Sequence, residues 1–167
     1  MTQDIYFFLD EIALNCAQSS PISNILNDLS IKTINATNQI VNIKSAGLIS
    51  DGTTQEDANI IADELFISSS NGIGSLDDEL DLSINMLSNG IVQNGNIVLS
   101  NNKSIEIEKI QSPNIVQLNI NGSITDSLST EEANIVSTTL NITSKNGIGS
   151  INNDIDINVL TLNVNNY

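Results

Sequence analysis

The sequence predicts an all-β chain wound as one parallel β-solenoid, with about 22 residues per coil and about seven coils. Three observations predict this fold. The chain superposes on itself at a shift of 75 positions, short apolar-polar alternation recurs throughout it, and equivalent alternating segments lie close to 22 positions apart. Repeats of this kind are typical of solenoids, in which each unit buries its apolar face against its neighbours.

The repeat is visible when the chain is shifted by 75 positions, which superposes residues 41–88 on residues 116–163 without a gap. The pentapeptide NGIGS occurs at 71–75 and at 146–150, and Ala58-Asn59-Ile60 matches Ala133-Asn134-Ile135. A partial copy at the start aligns by its apolar positions. We therefore expect one solenoid segment over 1–167, made of a partial repeat 1–17 and full repeats 18–92 and 93–167, with both termini cut from a longer array.

Strict alternation within these units predicts strands with one buried face. Two sets of residues lie 22 apart and are expected to stack on one another: Ile43, Leu65 and Leu87, and Leu118, Leu140 and Leu162. The interval from Leu87 to Leu118 is not a multiple of 22, which predicts an insertion or an outward loop near residues 88–95. Equivalent asparagines are expected to form side-chain amide ladders at the turns.

The NGIGS pentapeptide predicts a tight corner of the solenoid. Gly72 and Gly74 would supply backbone angles that other residues avoid, while Ile73 points inward. The corner is expected to recur once in every repeat, at a fixed place on the rod. A phosphate-binding loop is disfavoured, because neither a helical pattern nor a lysine follows the glycines.

Two structures are open for the start of the chain. A set of apolar residues there would line one face of an amphipathic capping helix: Ile5, Phe8, Leu9, Ile12, Ala13 and Cys16. The alignment between repeats instead places this stretch in register with two strand-like segments, which favours a strand. Cys16, the single cysteine, is expected to be a small buried apolar residue and excludes an internal disulfide.

Composition excludes several classes of partner. The chain has 5 basic and 20 acidic residues and a net charge of −15, which disfavours nucleic acid and anionic lipid, since both require lysine or arginine. An apolar fraction of 40%, rich in isoleucine, allows a buried core rather than disorder. The sequence contains no apolar run long enough for a membrane span and no evident signal peptide, so we expect no membrane insertion.

Several motifs together resemble the repeats of filamentous-haemagglutinin-type large exoproteins: NGIGS with the acidic alternating run after it, "GNIVLSNNKSIEIEKI", and "LNINGSITD". The resemblance implies a right-handed parallel β-helix, secretion, display on the bacterial cell surface, and attachment to host or bacterial surface glycans or proteins. Within the chain, the implied partners are neighbouring repeats. No functional residue of that family can be carried over to a position in this sequence.

Catalytic chemistry finds little support in the residue types. The absence of histidine excludes a Ser-His-Asp arrangement and removes a common zinc ligand. We expect no enzyme, no cofactor, no metal site and no catalytic residue. The carboxylates that recur between copies, Glu79 with Asp154 and Asp81 with Asp156, alternate with inward Leu or Ile and are expected to face solvent. Calcium binding at acidic turns stays open, although the GGxGxD pattern is missing.

The functional prediction is a non-enzymatic structural and adhesive stalk that holds a binding or effector region away from a bacterial cell. The alternative is a β-helix protein that binds or degrades polysaccharide. A cleft where acidic and aromatic side chains converge would distinguish the two, because an enzyme or a lectin needs a localised binding site, whereas a stalk does not.

Overall fold

The fold is described by a computed structural model that covers residues 11–15 and 20–166, with side-chain burial from residue 26 onward. Every pairing between the strands in these ranges is parallel. Those residues contain no helix, and so none that is long and apolar enough to cross a membrane. The strands are β1 Glu11–Asn15, β2 Ser20–Ile25, β3 Leu29–Ser45, β4 Ile49–Asp51, β5 Ile60–Ser69, β6 Leu80–Ser83, β7 Met86–Val92, β8 Ile97–Asn101, β9 Ile105–Ile107, β10 Ile110–Gln111, β11 Ile115–Ile120, β12 Ile124–Asp126, β13 Ile135–Ser144 and β14 Ile157–Asn166.

The strands stack as the coils of a β-solenoid of about 6 turns with a spacing of about 22 residues. The predicted fold class is therefore confirmed, with slightly fewer coils than the expected seven. At the interstrand spacing of about 4.8 Å, this stack is about 30 Å long. One inward row, named column 1, runs through the described coils, and its successive members lie 19 to 24 positions apart in sequence: Leu29, Ile49, Ile73, Ile97, Val116, Leu140 and Leu162.

Alternation places the apolar residues inside, as predicted. In β5, Leu65 and Ile67 are fully buried, while Phe66 between them is only half-buried on the outer face. The same burial pattern recurs in β13. Because successive side chains of a strand point to opposite faces, the inner residues of all the coils form one continuous core along the rod.

The predicted stacking of residues 22 apart is half right. Leu65 pairs with Leu87, and Leu140 pairs with Leu162, as expected. The predicted pairings of Ile43 with Leu65 and of Leu118 with Leu140 are wrong. Ile43 pairs with Ile67 and Leu118 pairs with Ile142, so the two members of each pair lie 24 positions apart in sequence. Strand side chains alternate with a period of two, so a pairing offset that is longer by two residues keeps every apolar residue inward. The alternation of apolar and polar residues in the sequence is the same for both offsets.

The predicted insertion near residues 88–95 is also wrong. Leu87 pairs with Ile107, and Ile107 pairs with Asp126, so the coils that follow Leu87 are short rather than extended. Leu118 stacks on Leu99 instead, in a different row from Leu87. The local irregularity is a β-bulge, in which the pairing of β5 with β7 skips Ser88.

The NGIGS corner has the predicted local structure. Gly72 and Gly74 have φ angles of 128° and 65°, and Ile73 is fully buried between Ile49 and Ile97. Its position on the rod is not fixed, contrary to prediction. Ile148 of the second copy pairs with Ile124, outside column 1, because a shift of 75 positions is not a whole number of coils with a spacing of about 22 residues.

The start of the chain is a strand where it is described. Glu11–Asn15 pairs in parallel with the first half of β3, and Ile12 lies beside Ile31. The predicted strand is therefore confirmed over these five residues. Residues 1–10 and Cys16, with its predicted burial, lie outside the described residues.

Candidate functional site

A buried asparagine joins three successive coils in the first full repeat. The Asn59 side chain is completely buried. Its Nδ2 donates to the Ile31 carbonyl oxygen at 3.0 Å and to Asp51 Oδ1 at 2.7 Å. Its Oδ1 accepts the Asp81 backbone N–H at 2.8 Å. We name this arrangement the Asn59 clamp. It bonds a carbonyl in the coil before, which also accepts the Gly52 N–H, and it supplies the acceptor for a buried amide in the coil after.

The second repeat builds the same clamp around Asn134. Its Nδ2 donates to the Ile107 carbonyl at 3.1 Å and to Asp126 Oδ1, and its Oδ1 accepts the Asp156 N–H at 2.9 Å. In both copies the aspartate precedes the asparagine by eight residues. Within the described residues, Asp126 Oδ2 and Ser127 Oγ are buried side-chain atoms without a hydrogen-bond partner.

The Ala-Asn-Ile tripeptide shared by the two repeats is visible in the sequence, but the repeat alone gives it no role. The signal was present, because both copies place an Asp eight residues before an Asn that immediately precedes an inward isoleucine. A polar residue beside a strand start normally predicts a turn. Only the stacking of coils shows that the amide points inward and joins backbone groups of its neighbours.

Serines support the corners in a similar way. Ser69 Oγ donates to the Gly47 carbonyl of the preceding coil and accepts the Gly72 N–H at 3.1 Å. Ser144 Oγ donates to the Gly122 carbonyl at 2.8 Å. An amide ladder also occurs, since Asn163 Nδ2 donates to Asn141 Oδ1 at 2.8 Å. That ladder lies on the outer face of two strands rather than at a turn, where it was predicted.

The recurring carboxylates of the first repeat do not face solvent as expected. Asp81 is only 6% exposed and accepts a hydrogen bond from Ser100 Oγ of the next coil. Glu79 is half-buried and accepts from Asn119 Nδ2 at 3.0 Å. In the second repeat, Asp154 is exposed and Asp156 half-buried. The outward side of a strand is thus not equivalent to solvent, because groups of adjoining coils cover it.

Burial raises the pKa of both Glu79 and Asp81, and nearby carboxylates raise it further. The negative charges of Asp81 and Glu56 raise the pKa of Glu79. Those of Asp51 and Asp78 raise the pKa of Asp81. The hydrogen bonds from Asn119 and Ser100 oppose these effects without overcoming them. The fold therefore favours the neutral form of these two carboxyl groups more than the unfolded chain does.

This shift predicts that acidification stabilises the protein. A carboxyl group whose pKa is raised in the fold opposes folding above that pKa, and the penalty disappears as pH falls through it toward the ordinary value. We expect the thermal unfolding midpoint to rise as pH falls from 7 toward the ordinary pKa of these carboxyl groups. The Glu79→Gln variant should be more stable than the native protein at pH 7 and should respond less to acidification.

Asp77→Asn supplies the matched control, because Asp77 is exposed in the same loop and its replacement removes the same formal charge. Thermal unfolding of the three proteins from pH 7 to pH 4.5 checks the prediction. If Glu79→Gln and Asp77→Asn change the pH dependence equally, overall charge rather than burial accounts for it.

One groove on the outer surface brings an aromatic residue together with carboxylates. Phe66 on β5 faces Asn89 on β7, and Lys109 donates from Nζ to the Ala133 carbonyl at 3.1 Å. Glu108 is half-buried, and Glu132 is exposed. We name this the Phe66 groove, and its lining residues are Phe66, Ser88, Asn89, Glu108, Lys109, Leu128 and Glu132. Amide and carboxylate groups beside an apolar ring are suited to a polyhydroxylated ligand.

Across the described ranges, no group of three or more Cys, Asp or Glu side chains is arranged to hold a metal ion. No protein-family model, curated protein or solved structure matches the chain. The resemblance to haemagglutinin-type exoproteins thus stays a prediction from the motifs. The stacked coils, the two clamps and the Phe66 groove are the features from which a function can be argued.

Proposed function

We propose that this chain is a non-enzymatic structural and adhesive stalk segment of a secreted bacterial surface protein. In this role it holds a binding or effector region away from the cell. The observation that carries the proposal is the continuity of column 1, in which apolar residues of successive coils stack from Leu29 to Leu162. A continuous core of this kind favours an extended body of nearly constant cross-section.

The polar groups support the same role. The Asn59 and Asn134 clamps each bond a preceding and a following coil, so that separation of coils would break buried hydrogen bonds as well as apolar contacts. Ser69 and Ser144 add bonds between coils at the corners. These cross-links lie along the axis of the rod, which is the direction in which a stalk is pulled.

The net charge and the resemblance to exoprotein repeats support the proposed location and partners. The net charge of −15 favours a soluble body that does not adhere to nucleic acid or anionic lipid. The extracellular location at a bacterial cell surface, and attachment to glycans or proteins there, rest on the resemblance to exoprotein repeats. No cofactor is part of this proposal.

The Phe66 groove favours a second candidate, a β-helix protein that binds polysaccharide. Phe66 would stack on a sugar face, and Asn89 and Glu132 would bond its hydroxyl groups. The groove is the kind of feature that separates the two functions, because it combines an aromatic ring with acidic side chains. Its residues differ between the two repeats, where Asn141 replaces Phe66 in sequence, so it would be a single site and not a repeating one.

A replacement experiment distinguishes a spacer from a binder. In the secreted protein that contains this segment, the segment is exchanged either for an unrelated β-solenoid of equal length or for a glycine-serine linker with the same number of residues. Attachment of the bacteria to host cells is then measured. A spacer predicts that the unrelated solenoid restores attachment and that the linker does not, because a flexible coil, although its ends lie about 70 Å apart on average, holds them at no fixed separation or direction.

Two results would overturn the spacer proposal. Attachment that survives deletion of the segment would show that no spacing is required. Attachment restored by the native segment alone would favour the binder, in which case the Phe66→Ala variant of the native segment should also lose attachment.

A further inference from the structure

The Phe66 groove lies in the interior of the stack, where coils on both sides fix its shape. Phe66 on β5 pairs with Asn42 of the preceding coil and with Asn89 of the following coil. From β5 the groove crosses β7 and β10 to Glu132, just before β13. Three interstrand steps of about 4.8 Å make it about 14 Å long. Its volume of about 340 Å³ is within the range of small-molecule sites, and its length suits more than one sugar ring.

Two carboxylates of the groove are available to a ligand. Within the described part of the chain, neither Glu108 nor Glu132 uses its carboxylate in a hydrogen bond or an ion pair. Glu108 bonds its neighbours through the backbone, where its N–H donates to the Leu87 carbonyl at 3.0 Å and its carbonyl accepts Asn134 Nδ2 at 3.4 Å. The backbone of Glu108 is thus fixed, while its acidic group is left to accept hydrogen bonds from a ligand.

The lysine of the groove is already bonded to the protein. Lys109 is half-buried, and its Nζ donates to the Ala133 carbonyl at 3.1 Å. Two glutamates and one lysine give the lining residues a net charge of −1. A further carboxylate lies beside them, since Ser88 Oγ donates to Glu64 Oε1 at 2.5 Å. The groove and the chain are therefore both negative, which disfavours an acidic ligand and favours a basic one.

The Phe66 ring favours the same kind of ligand. The face of an aromatic ring carries partial negative charge and attracts a nearby cation. It also packs on the apolar face of a sugar ring. The second repeat has Asn141 at the corresponding position, so this ring belongs to one groove and is not a recurring feature of the rod. A ligand that uses the ring and both carboxylates is a sugar with positive charge.

We propose that the Phe66 groove binds a glycan with free amino groups, of the class of de-N-acetylated hexosamine polymers. Phe66 packs against a sugar ring, and Glu108 and Glu132 accept charge-assisted hydrogen bonds from the ammonium groups. Asn89 bonds the hydroxyl groups. This inference rests on the polysaccharide-binding candidate above and adds the chemical class of the ligand. A spacer can carry such a groove as well, so the binding test is independent of the attachment experiment.

Calorimetric titration of the purified chain with two sugar tetramers tests the ligand class. The probes are the tetramer of glucosamine and the tetramer of N-acetylglucosamine, which share one sugar backbone and differ in whether the nitrogen can be charged. At about pH 6, amines are largely protonated and ordinary glutamates are ionised. We expect a single site per chain and binding of the glucosamine tetramer that is about tenfold tighter, as for one hydrogen bond between charged groups.

Matched variants assign the binding to the groove. Phe66→Ala and Glu132→Gln should each weaken binding of the glucosamine tetramer by about fivefold or more. Lys109→Gln keeps a donor for the Ala133 carbonyl but removes a positive charge, so it should strengthen binding. Asp77→Asn is the control for Glu132→Gln, because it removes the same charge from an exposed loop outside the groove, and it should change the affinity by less than about twofold. Thermal unfolding checks that each variant is folded.

Three results would overturn the inference. Equal affinity for the two tetramers would leave a site for neutral sugars and contradict the requirement for an amino group. Several tetramers bound per chain, with equal effects of Asp77→Asn and Glu132→Gln, would show general attraction of a cation to an acidic rod. Binding of neither tetramer would remove the groove as a glycan site, and the spacer proposal would stand unaffected.

Discussion

Gly74→Ala is expected to destabilise the protein by roughly 3–5 kcal/mol, from left-handed backbone strain and steric overlap together. Gly74 has a φ of 65°, and a Cβ there would overlap the carbonyl oxygen of Val98 and lie 2.9 Å from the Leu80 nitrogen. Both neighbours are backbone atoms of coils that are fixed by their own pairing, so neither can move aside cheaply. Chemical denaturation of the variant measures the loss.

The second NGIGS corner supplies the matched control. Gly149 has nearly the same φ, 70°, but the closest atom to a Cβ there would be Asp154 Cα at 3.2 Å. Gly149→Ala should therefore cost only about 1–2 kcal/mol, from backbone strain alone. Equal losses for the two variants would contradict the different packing of the two corners.

Asn59→Leu is expected to cost roughly 2–6 kcal/mol, because it leaves the buried Asp81 N–H without a partner, at about 1–3 kcal/mol, and removes two further hydrogen bonds at about 0.5–1.5 kcal/mol each. Those two bonds join Asn59 to the Ile31 carbonyl and to the Asp51 carboxylate, which keep other donors in Gly52 and Thr53. Leucine has a similar size, so the loss would come from hydrogen bonding rather than from a cavity. Equilibrium unfolding in urea measures the change.

Asn42→Leu is the control for this variant, since Asn42 is exposed on β3. It should change the unfolding free energy by less than about 0.5 kcal/mol. If Asn59→Leu proved as mild as Asn42→Leu, the clamp would not hold the coils together, and the shared tripeptide would need another explanation.

Much of the fold could be predicted because the core obeys a simple rule. Apolar residues alternate along short segments and recur about every 22 positions, which is sufficient to predict parallel stacked strands. Leu65 with Leu87 and Leu140 with Leu162 were placed correctly on this basis. The inward direction of Ile73 followed from two flanking glycines that allow a tight corner.

The register could not be predicted from the same rule. A pairing offset of 24 positions keeps the same alternation as an offset of 22, so the pattern carries no signal that Ile43 lies beside Ile67 rather than Leu65. The sequence match at a shift of 75 positions predicts that both NGIGS corners lie at the same position around the coil. The structure places them in different rows. Similar residues occupy different rows on the rod, since each row requires only an apolar residue.

Polar residues were the hardest to place. Asp81 alternates with inward leucines and was expected in solvent, yet Ser100 of the adjoining coil covers it. In the sequence, Asn59 stands out only as part of a shared tripeptide. In both cases the environment is created by neighbouring coils, which are distant in sequence, and alternation reports only the face on which a residue lies.

The most direct test of the stacked fold is the set of cross-strand nuclear Overhauser contacts in solution, measured on isotope-labelled protein. Parallel stacking predicts contacts between Ile43 and Ile67 and between Ile49 and Ile73, in the staggered pattern of parallel strands. Close contacts between opposed Hα atoms of neighbouring segments would indicate antiparallel hairpins and would contradict the solenoid. Backbone contacts of Ile43 with Leu65 in place of Ile67 would retain parallel coils but contradict the register described here.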